Sequence, residues 1–399
     1  MLSRAFLLLM GTTVLSFGSF TLLLPVVPLQ VSELGGGSVA VGACTAVFMA
    51  ATVAVQLRTP SLLRTRGHRW VLVTGCALLG VPALVLPLVG AGFGVLGVLA
   101  VTAVRGCGFG LLTVASGALV AELVEPSRLG RASSLYGVAV GLPQLVTLPV
   151  GLAVVASHGT SPVLLAGGGL GLAATVLART LPAGPLGAPP PAAGTARLAP
   201  NEVAVPVVAL TVVALSFGAT LTFLPIAAPE RPAAVGLALA VLTAAMLVGR
   251  GLAGPLAALA GQPGRVLPAG VLLAAAGAAV LALGVAAGGE GALLVGAALF
   301  GAGFGVVQND SLVLLFVRAG PARRGPASAA WNVAYDAGTG LGAVVLGVVV
   351  AVAGYPWAFG VTAAAVGLVG VALVVGRTRG TAPGDQVVTG GPRGSLPHV

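Results

Sequence analysis

Runs of roughly 20 apolar residues, separated by short polar turns, recur along almost the whole of this 399-residue chain. A run of that length is what an α-helix needs to cross the ~30 Å hydrocarbon core of a bilayer, and a helix satisfies its own backbone polar groups there. The runs fall near 5–29, 39–57, 70–90, 93–121, 132–156, 161–181, 203–228, 233–256, 266–287, 291–316, 327–353 and 357–375. Barrel strands would instead be short and alternating. Only 7% of the residues are charged, against about 25% in a soluble domain. The predicted fold class is an all-α membrane protein of about twelve transmembrane helices. The apolar stretch after Arg4 continues past Pro28, too long for a signal-peptide core of about 7–15 residues, and reads as the first span.

All the basic residues are arginine, and the chain is loaded with Ala, Gly, Val, Leu and Pro. That is the composition of a GC-rich bacterial genome. A net charge of +10 does not point to nucleic acid here, because the arginines stand between apolar runs, where topology explains them. Short cytoplasmic loops collect positive charge. With both termini inside, Arg4, Arg58, Arg64, Arg66, Arg69, Arg128, Arg131, Arg179, Arg197, Arg265, Arg318, Arg323, Arg324, Arg377 and Arg379 fall on the cytoplasmic side, and Arg231 is left outside. The expected location is the bacterial cytoplasmic (inner) membrane, multi-pass.

An internal repeat organises the runs. Leu15-Ser16-Phe17-Gly18 with Leu24-Pro25 recurs as Leu215-Ser216-Phe217-Gly218 with Leu224-Pro225. Gly106-Cys107-Gly108-Phe109-Gly110 recurs as Gly301-Ala302-Gly303-Phe304-Gly305. Gly130, Ala132, Ser133, Val138 and Ala139 match Gly325, Ala327, Ser328, Val333 and Ala334. Two halves of six spans read in the same direction form a parallel repeat, which places a substrate site at their interface near the midplane. The expected division is a first six-helix bundle over 1–181, a Pro/Ala/Gly-rich cytoplasmic linker over 182–200, a second bundle over 201–377, and a disordered cytoplasmic tail over 378–399.

Polar residues inside the spans mark candidate sites, because a carboxylate at membrane depth costs a few kcal/mol or more and usually faces a bundle interior or a water-filled path. Ser328, Asn332, Tyr335, Asp336 and Thr339 share one helix face by their spacing. Asp336 on that face reads either as a proton carrier or as a neutral tie between helices. Asp310 stands in the polar run Gln308 to Ser311 and reads either as cavity lining or as a gate contact with Arg318. Arg105 shares a face with Thr102, Phe109, Thr113 and Ser116; it is a coupling residue or a structural hydrogen-bond hub. The candidate cavity residues are Ser16, Phe20, Thr113, Ser116, Gln308, Asn309, Asn332 and Tyr335.

With those residues in place, the chain resembles the major facilitator superfamily over nearly its whole length, and within it the twelve-span proton-coupled drug and metabolite exporters. Gly18 with Pro25-Val26-Val27-Pro28 resembles their Gly…Pro-Val-x-Pro motif. Arg105 resembles their intramembrane arginine, which implies a part in proton coupling beside Asp336 and Asp310. Gly137, Gly141 and Pro143 resemble the glycine and proline motif associated with antiport, with Leu142 splitting its Gly-Pro pair. The family's gate loop, Gly-x-x-x-Asp-Arg-x-Gly-Arg-Arg, aligns on Gly67, where Pro60 and Arg64 replace its first Gly and its Asp. The expected cytoplasmic gate comprises Arg64, Arg66, Gly67, Arg69, Glu122 and Arg128, and the expected helix-shaping residues are Gly18, Pro25, Pro28, Gly137, Gly141 and Pro143.

The resemblance implies a secondary active transporter that exports a small amphiphilic molecule, a drug or secondary metabolite, by proton antiport and alternating access. The alternative is proton-coupled transport of a sugar or other polar metabolite. Its partners are that substrate, protons and the lipid bilayer, with no nucleic acid, and it is expected to be monomeric. No ATPase motif and no catalytic constellation occur, so neither an enzyme nor a cofactor is expected. Cys44, Cys76 and Cys107 and the three histidines lack metal-ligand spacing.

Overall fold

A computed structural model describes residues 3–125, 128–182, 198–320 and 323–380. Every regular element among them is helical: α1 (Arg4–Leu23), α2 (Val26–Glu33), α3 (Ser38–Gln56), α4 (Thr59–Leu123), α5 (Leu129–His158), α6 (Thr160–Arg179), α7 (Pro200–Ala227), α8 (Pro232–Leu259), α9 (Leu267–Ala287), α10 (Glu290–Ala319), α11 (Arg324–Ala353) and α12 (Tyr355–Gly380). The expected linker falls mostly on 183–197 and the expected tail mostly on 381–399, both outside the described residues. The last helix reaches Gly380, a little into the segment assigned to the tail.

Eleven stretches are long and apolar enough to cross a membrane, and one of them crosses twice. The 65 residues of α4 would span about 100 Å as a straight helix, three times the hydrocarbon thickness. The backbone leaves the helical region at Gly67 (φ 77°) and Gly94 (φ 59°), positive values that glycine adopts without a Cβ penalty. At Gly94 the chain reverses. A Cβ on Gly97 would lie 2.7 Å from the Val89 side chain, whereas eight residues along a straight helix are about 12 Å apart. Further along, Gly108 packs on the backbone at Gly75 and Leu79. The two antiparallel limbs, on either side of Gly94, are the third and fourth crossings. At the other extreme, α1 and α2 are one crossing broken at Leu24–Pro25, where proline lacks the amide that would continue the ladder. The total is twelve.

Helices in lipid gain little from burying apolar surface against each other, so close packing of small residues carries their association. The glycine repeat supplies it identically in both bundles. Gly106 and Gly110 face the Phe48 and Thr52 carbonyls of α3, and Gly108 faces the Gly75 carbonyl. In the second bundle Gly301 and Gly305 face the Leu242 and Met246 carbonyls of α8, and Gly303 faces the Gly270 carbonyl of α9. A Cβ at any of these positions would collide with backbone, which cannot rotate away.

The bundles meet along two seams, α3 with α11 and α5 with α8. Away from the arginine-bearing loops both seams are shut. Gly42 lies against the Ala343 carbonyl, Gly347 against the Ser38 carbonyl, and Gly236 against Pro149. Ser38 Oγ donates to the Gly347 carbonyl at 2.8 Å, and Thr45 shares a 2.9 Å hydrogen bond with Thr222. Toward the arginine-bearing face the last contact between α5 and α8 that a glycine marks is Gly141 with Leu247. Beyond it, no hydrogen bond or ion pair joins the bundles among the described residues except one at Gln56. The molecule is closed on one face and parted on the other.

Candidate functional site

The exception at Gln56 is the centre of the site. Its Nε2 donates to Asp336 Oδ2 at 2.8 Å and to Thr113 Oγ1 at 3.2 Å, tying α3 to α11 across the bundles and to α4 within its own. Both ends are buried, Gln56 at 7% and Asp336 at 6% exposure. Asp336 makes no salt bridge among the described residues. Its partner is a neutral amide, and a hydrogen bond of this kind to a charged group contributes about 1.5–3 kcal/mol.

A second polar group lies where α5 and α8 part. Ser116 and Tyr136 share a 2.8 Å hydrogen bond. Arg250 on α8 interacts electrostatically with both Tyr136 and Tyr335, which come from opposite bundles. Tyr335, next to Asp336 in the chain, stacks on Phe304 (centroids 5.8 Å apart) and on Trp331 (5.7 Å). Trp331 Nε1 donates to Ser311 Oγ at 3.1 Å, and Gln308 donates to Met246 Sδ at 3.3 Å. One wall is therefore a ladder of rings, with a carboxylate next to Tyr335 in the chain and a cation on α8 within its electrostatic reach.

Arg105 lies apart from this cluster. It is buried, donates from Nε to the Leu79 carbonyl at 3.2 Å, and places its guanidinium 5.7 Å from the Phe48 ring centroid. No carboxylate touches it among the described residues. It lines a small pocket of about 20 Å³ with Phe20, Val27, Pro28, Cys44 and Phe48. Phe20 is stacked between Phe48 and Phe109, at 5.4 and 4.0 Å.

Other candidates spend their polarity locally. Ser16 bonds the Thr12 carbonyl, Asn332 the Ser328 carbonyl and Thr339 the Tyr335 carbonyl, all within their own helices. Asn309 is half-buried. Asp310 accepts the Gly264 amide at 2.8 Å, which fastens the loop between α8 and α9. Gly264 has φ 84°, matching Gly67 in the loop that leads into the third crossing. In that loop His68 Nε2 stands 3.1 Å from Glu122, so the partner of Glu122 is the histidine between Gly67 and Arg69. Arg64 and Arg69 are exposed, Arg66 lies over the Trp70 ring at 5.0 Å, and Arg128 stands 3.7 Å from Glu125 within its own turn. Gly18 is in ordinary contact with Leu170 and Pro143, Gly137 faces open space, and α5 runs unbroken through Pro143. Pro28 lies within α2. The side chain of Arg131 lies outside the described residues.

Gln56, Tyr136 and Arg250 were missed by the sequence reading. Spacing could have found Arg250, because Gly236, Leu239, Thr243, Met246, Arg250 and Ala253 are separated by three and four residues in turn. That is the argument that singled out Asp336. No group of three His, Cys, Asp or Glu able to hold a metal occurs among the described residues.

A family model described as the Major Facilitator Superfamily matches residues 9–231. No curated protein matches the chain in sequence. Among solved structures it is similar to the nucleoside transporter NupG, at 15% identity over 94% of this chain and 99% of that one, with a TM-score of 0.71. It is similar to a POT family transporter in complex with 5-aminolevulinic acid, at 13% identity over 95% and 97%, TM-score 0.77. The xylose transporter XylE from E. coli, in a partially occluded inward open conformation, aligns at 15% identity over 95% and 97%, TM-score 0.72. At such identities the structural likeness shows the fold. The family match takes in all of the first bundle beyond its opening turn and enters the second, and the chain belongs to the major facilitator superfamily.

Proposed function

We propose that the chain is a proton-coupled antiporter of the bacterial cytoplasmic membrane that exports a small amphiphilic molecule by alternating access. The arginine-bearing face is then cytoplasmic, both termini lie on that side, and the parted seam opens inward. The observation that carries this reading is the Asp336–Gln56 contact. A buried carboxylate is held across the bundle interface by a neutral amide alone, at the place where the bundles must move relative to each other. Rocking of the bundles repacks α3 on α11, and a carboxylate that loses Gln56 in that movement takes a proton. One charge crossing 100 mV gains about 2.3 kcal/mol, a bias of about fiftyfold per cycle.

An amphiphile fits better than a sugar. Ser16, Asn332 and Thr339 are committed to carbonyls of their own helices, which leaves few free groups for a hydroxylated solute, whereas stacked rings line both bundles. The site halves come from one chain, so a monomer suffices. The test is proton release from acidified everted vesicles on adding candidate substrates, native chain against Asp336→Asn. Substrate-dependent release abolished by the substitution is expected. Substrate movement with unchanged proton release in Asp336→Asn would remove Asp336 from the mechanism.

A further inference from the structure

Arg250 combines two observations that do not ordinarily go together. It lies on the inward stripe of α8, between Met246 and Ala253, both of which are buried, and two residues along a helix amount to about 200° of rotation. It therefore points away from Val248 and Leu252, which are more than half exposed on the lipid side. Yet Arg250 is exposed. An exposed residue on an inward stripe faces a water-filled space inside the protein, and the tyrosines within its electrostatic reach, Tyr136 of one bundle and Tyr335 of the other, identify that space as the cleft between the bundles. No hydrogen bond or ion pair of Arg250 occurs among the described residues, and no carboxylate faces it. A guanidinium cannot shed its proton at membrane depth, so it needs an anion, and it offers a planar fork suited to an oxyanion.

We infer that Arg250, between Tyr136 and Tyr335, is the receiving site for an oxyanion on the transported molecule, so that the substrate class is an anionic amphiphile with an aromatic or other flat apolar body. The inference rests on the transport reading above and narrows its substrate. The ring ladder of Phe304 and Trp331 on Tyr335 supplies the apolar wall, and Gln308 lies on α10, bonded to Met246 a turn from Arg250. The same oxyanion chemistry occurs in acidic lipid headgroups. Placement on the cleft side of α8, opposite its lipid-facing stripe, favours a solute.

The experiment is calorimetric binding to the full-length protein in phosphatidylcholine nanodiscs, which contain no acidic headgroup. The probes share one skeleton: 2-naphthoate, 2-naphthyl phosphate and naphthalene-2-sulfonate, against 2-naphthamide and 2-naphthylmethylamine. At least one anion is expected to bind, with the amide and amine weaker by tenfold or more. Arg250→Gln should weaken that anion at least tenfold, and Arg250→Lys, which keeps the charge without the fork, should retain part of the binding. Preference for the amine, no binding by any of the three anions, or anion binding unchanged in a folded Arg250→Gln protein would overturn the inference. So would an Arg250-dependent stabilisation seen only when phosphatidylglycerol is added, which would assign the anion to lipid. Binding needs no gradient, so these outcomes are independent of proton release. Vesicles in which a neutral or cationic compound releases protons without Arg250 would leave antiport standing and remove the anion site.

Discussion

Replacing Gly42 with alanine should open the closed face. A Cβ there would fall 2.8 Å from the Ala343 carbonyl carbon and 3.0 Å from Val344 Cα, against about 3.5–4.0 Å for a comfortable carbon contact. Its neighbours are backbone, so relief requires α3 and α11 to move apart by about 1 Å. Overpacking of this kind costs about 1–3 kcal/mol, and it falls only on the state in which this seam is shut. In a two-state equilibrium that shift is about 5- to 150-fold toward the open state. Cys44 reports it, because it is 2% exposed and lines the small pocket beside Arg105. In a chain carrying Cys76→Ala and Cys107→Ala, a membrane-impermeant maleimide added from the closed face should label Cys44 faster by that factor in Gly42→Ala. Gly347→Ala, whose Cβ would lie 2.5 Å from the Ser38 carbonyl oxygen, should act in the same direction. Gly37→Ala, where nothing lies within 4 Å, should not. Unchanged labelling in both seam variants, with folding intact, would show that this glycine contact does not set the closed state.

Two further outcomes follow from the loops. Asp310→Ala deprives the buried Gly264 amide of its acceptor, at a cost of about 1–3 kcal/mol; a lower melting temperature with proton release retained is expected, and abolished release at unchanged stability would make Asp310 part of the coupling. Burial pushes the Glu122 carboxyl above its ordinary value, so its contribution to stability is complete below the ordinary carboxylate range and is lost as pH rises through the raised value. The stability of the native chain relative to Glu122→Gln should therefore fall with rising pH across that window, and a rise would mean that attraction to His68 outweighs desolvation.

The fold was legible because each physical requirement leaves a long, redundant trace. A crossing needs some 20 apolar residues, and a close helix contact needs a glycine at each point where backbones touch. The pairs Gly106/Gly301, Gly108/Gly303 and Gly110/Gly305 were visible as a repeat before their carbonyl partners were known. The stripe through Asp336 was equally visible, but its partner was not: Gln56 closes the second run, more than two hundred residues away, and nothing local ties the two. Arg250 was hidden differently. A search for arginines between runs accounts for the loops, and one inside a run is recognised only when its own helix face is traced. His68 looked partnerless for the same reason as Gln56, since Glu122 reaches it through the reversal at Gly94.

Under the proposed cycle, charge compensation decides when the bundles can exchange faces. Opening the closed face gives up the Ser38–Gly347 and Thr45–Thr222 hydrogen bonds, which water replaces at little net cost, together with glycine contacts that leave no polar group orphaned. Closing the arginine-bearing face is different in kind. It brings the parted ends of α5 and α8 together over Arg250, and burying an unpaired cation costs several kcal/mol. An anion in the cleft removes that penalty, and an oxyanion on the substrate is such an anion. Arg250→Gln removes it as well, so its arginine-bearing face should close without substrate, whereas Arg250→Lys, which keeps the cation, should still need one; the labelling rate of a cysteine introduced on the cleft side of α8 reads the difference.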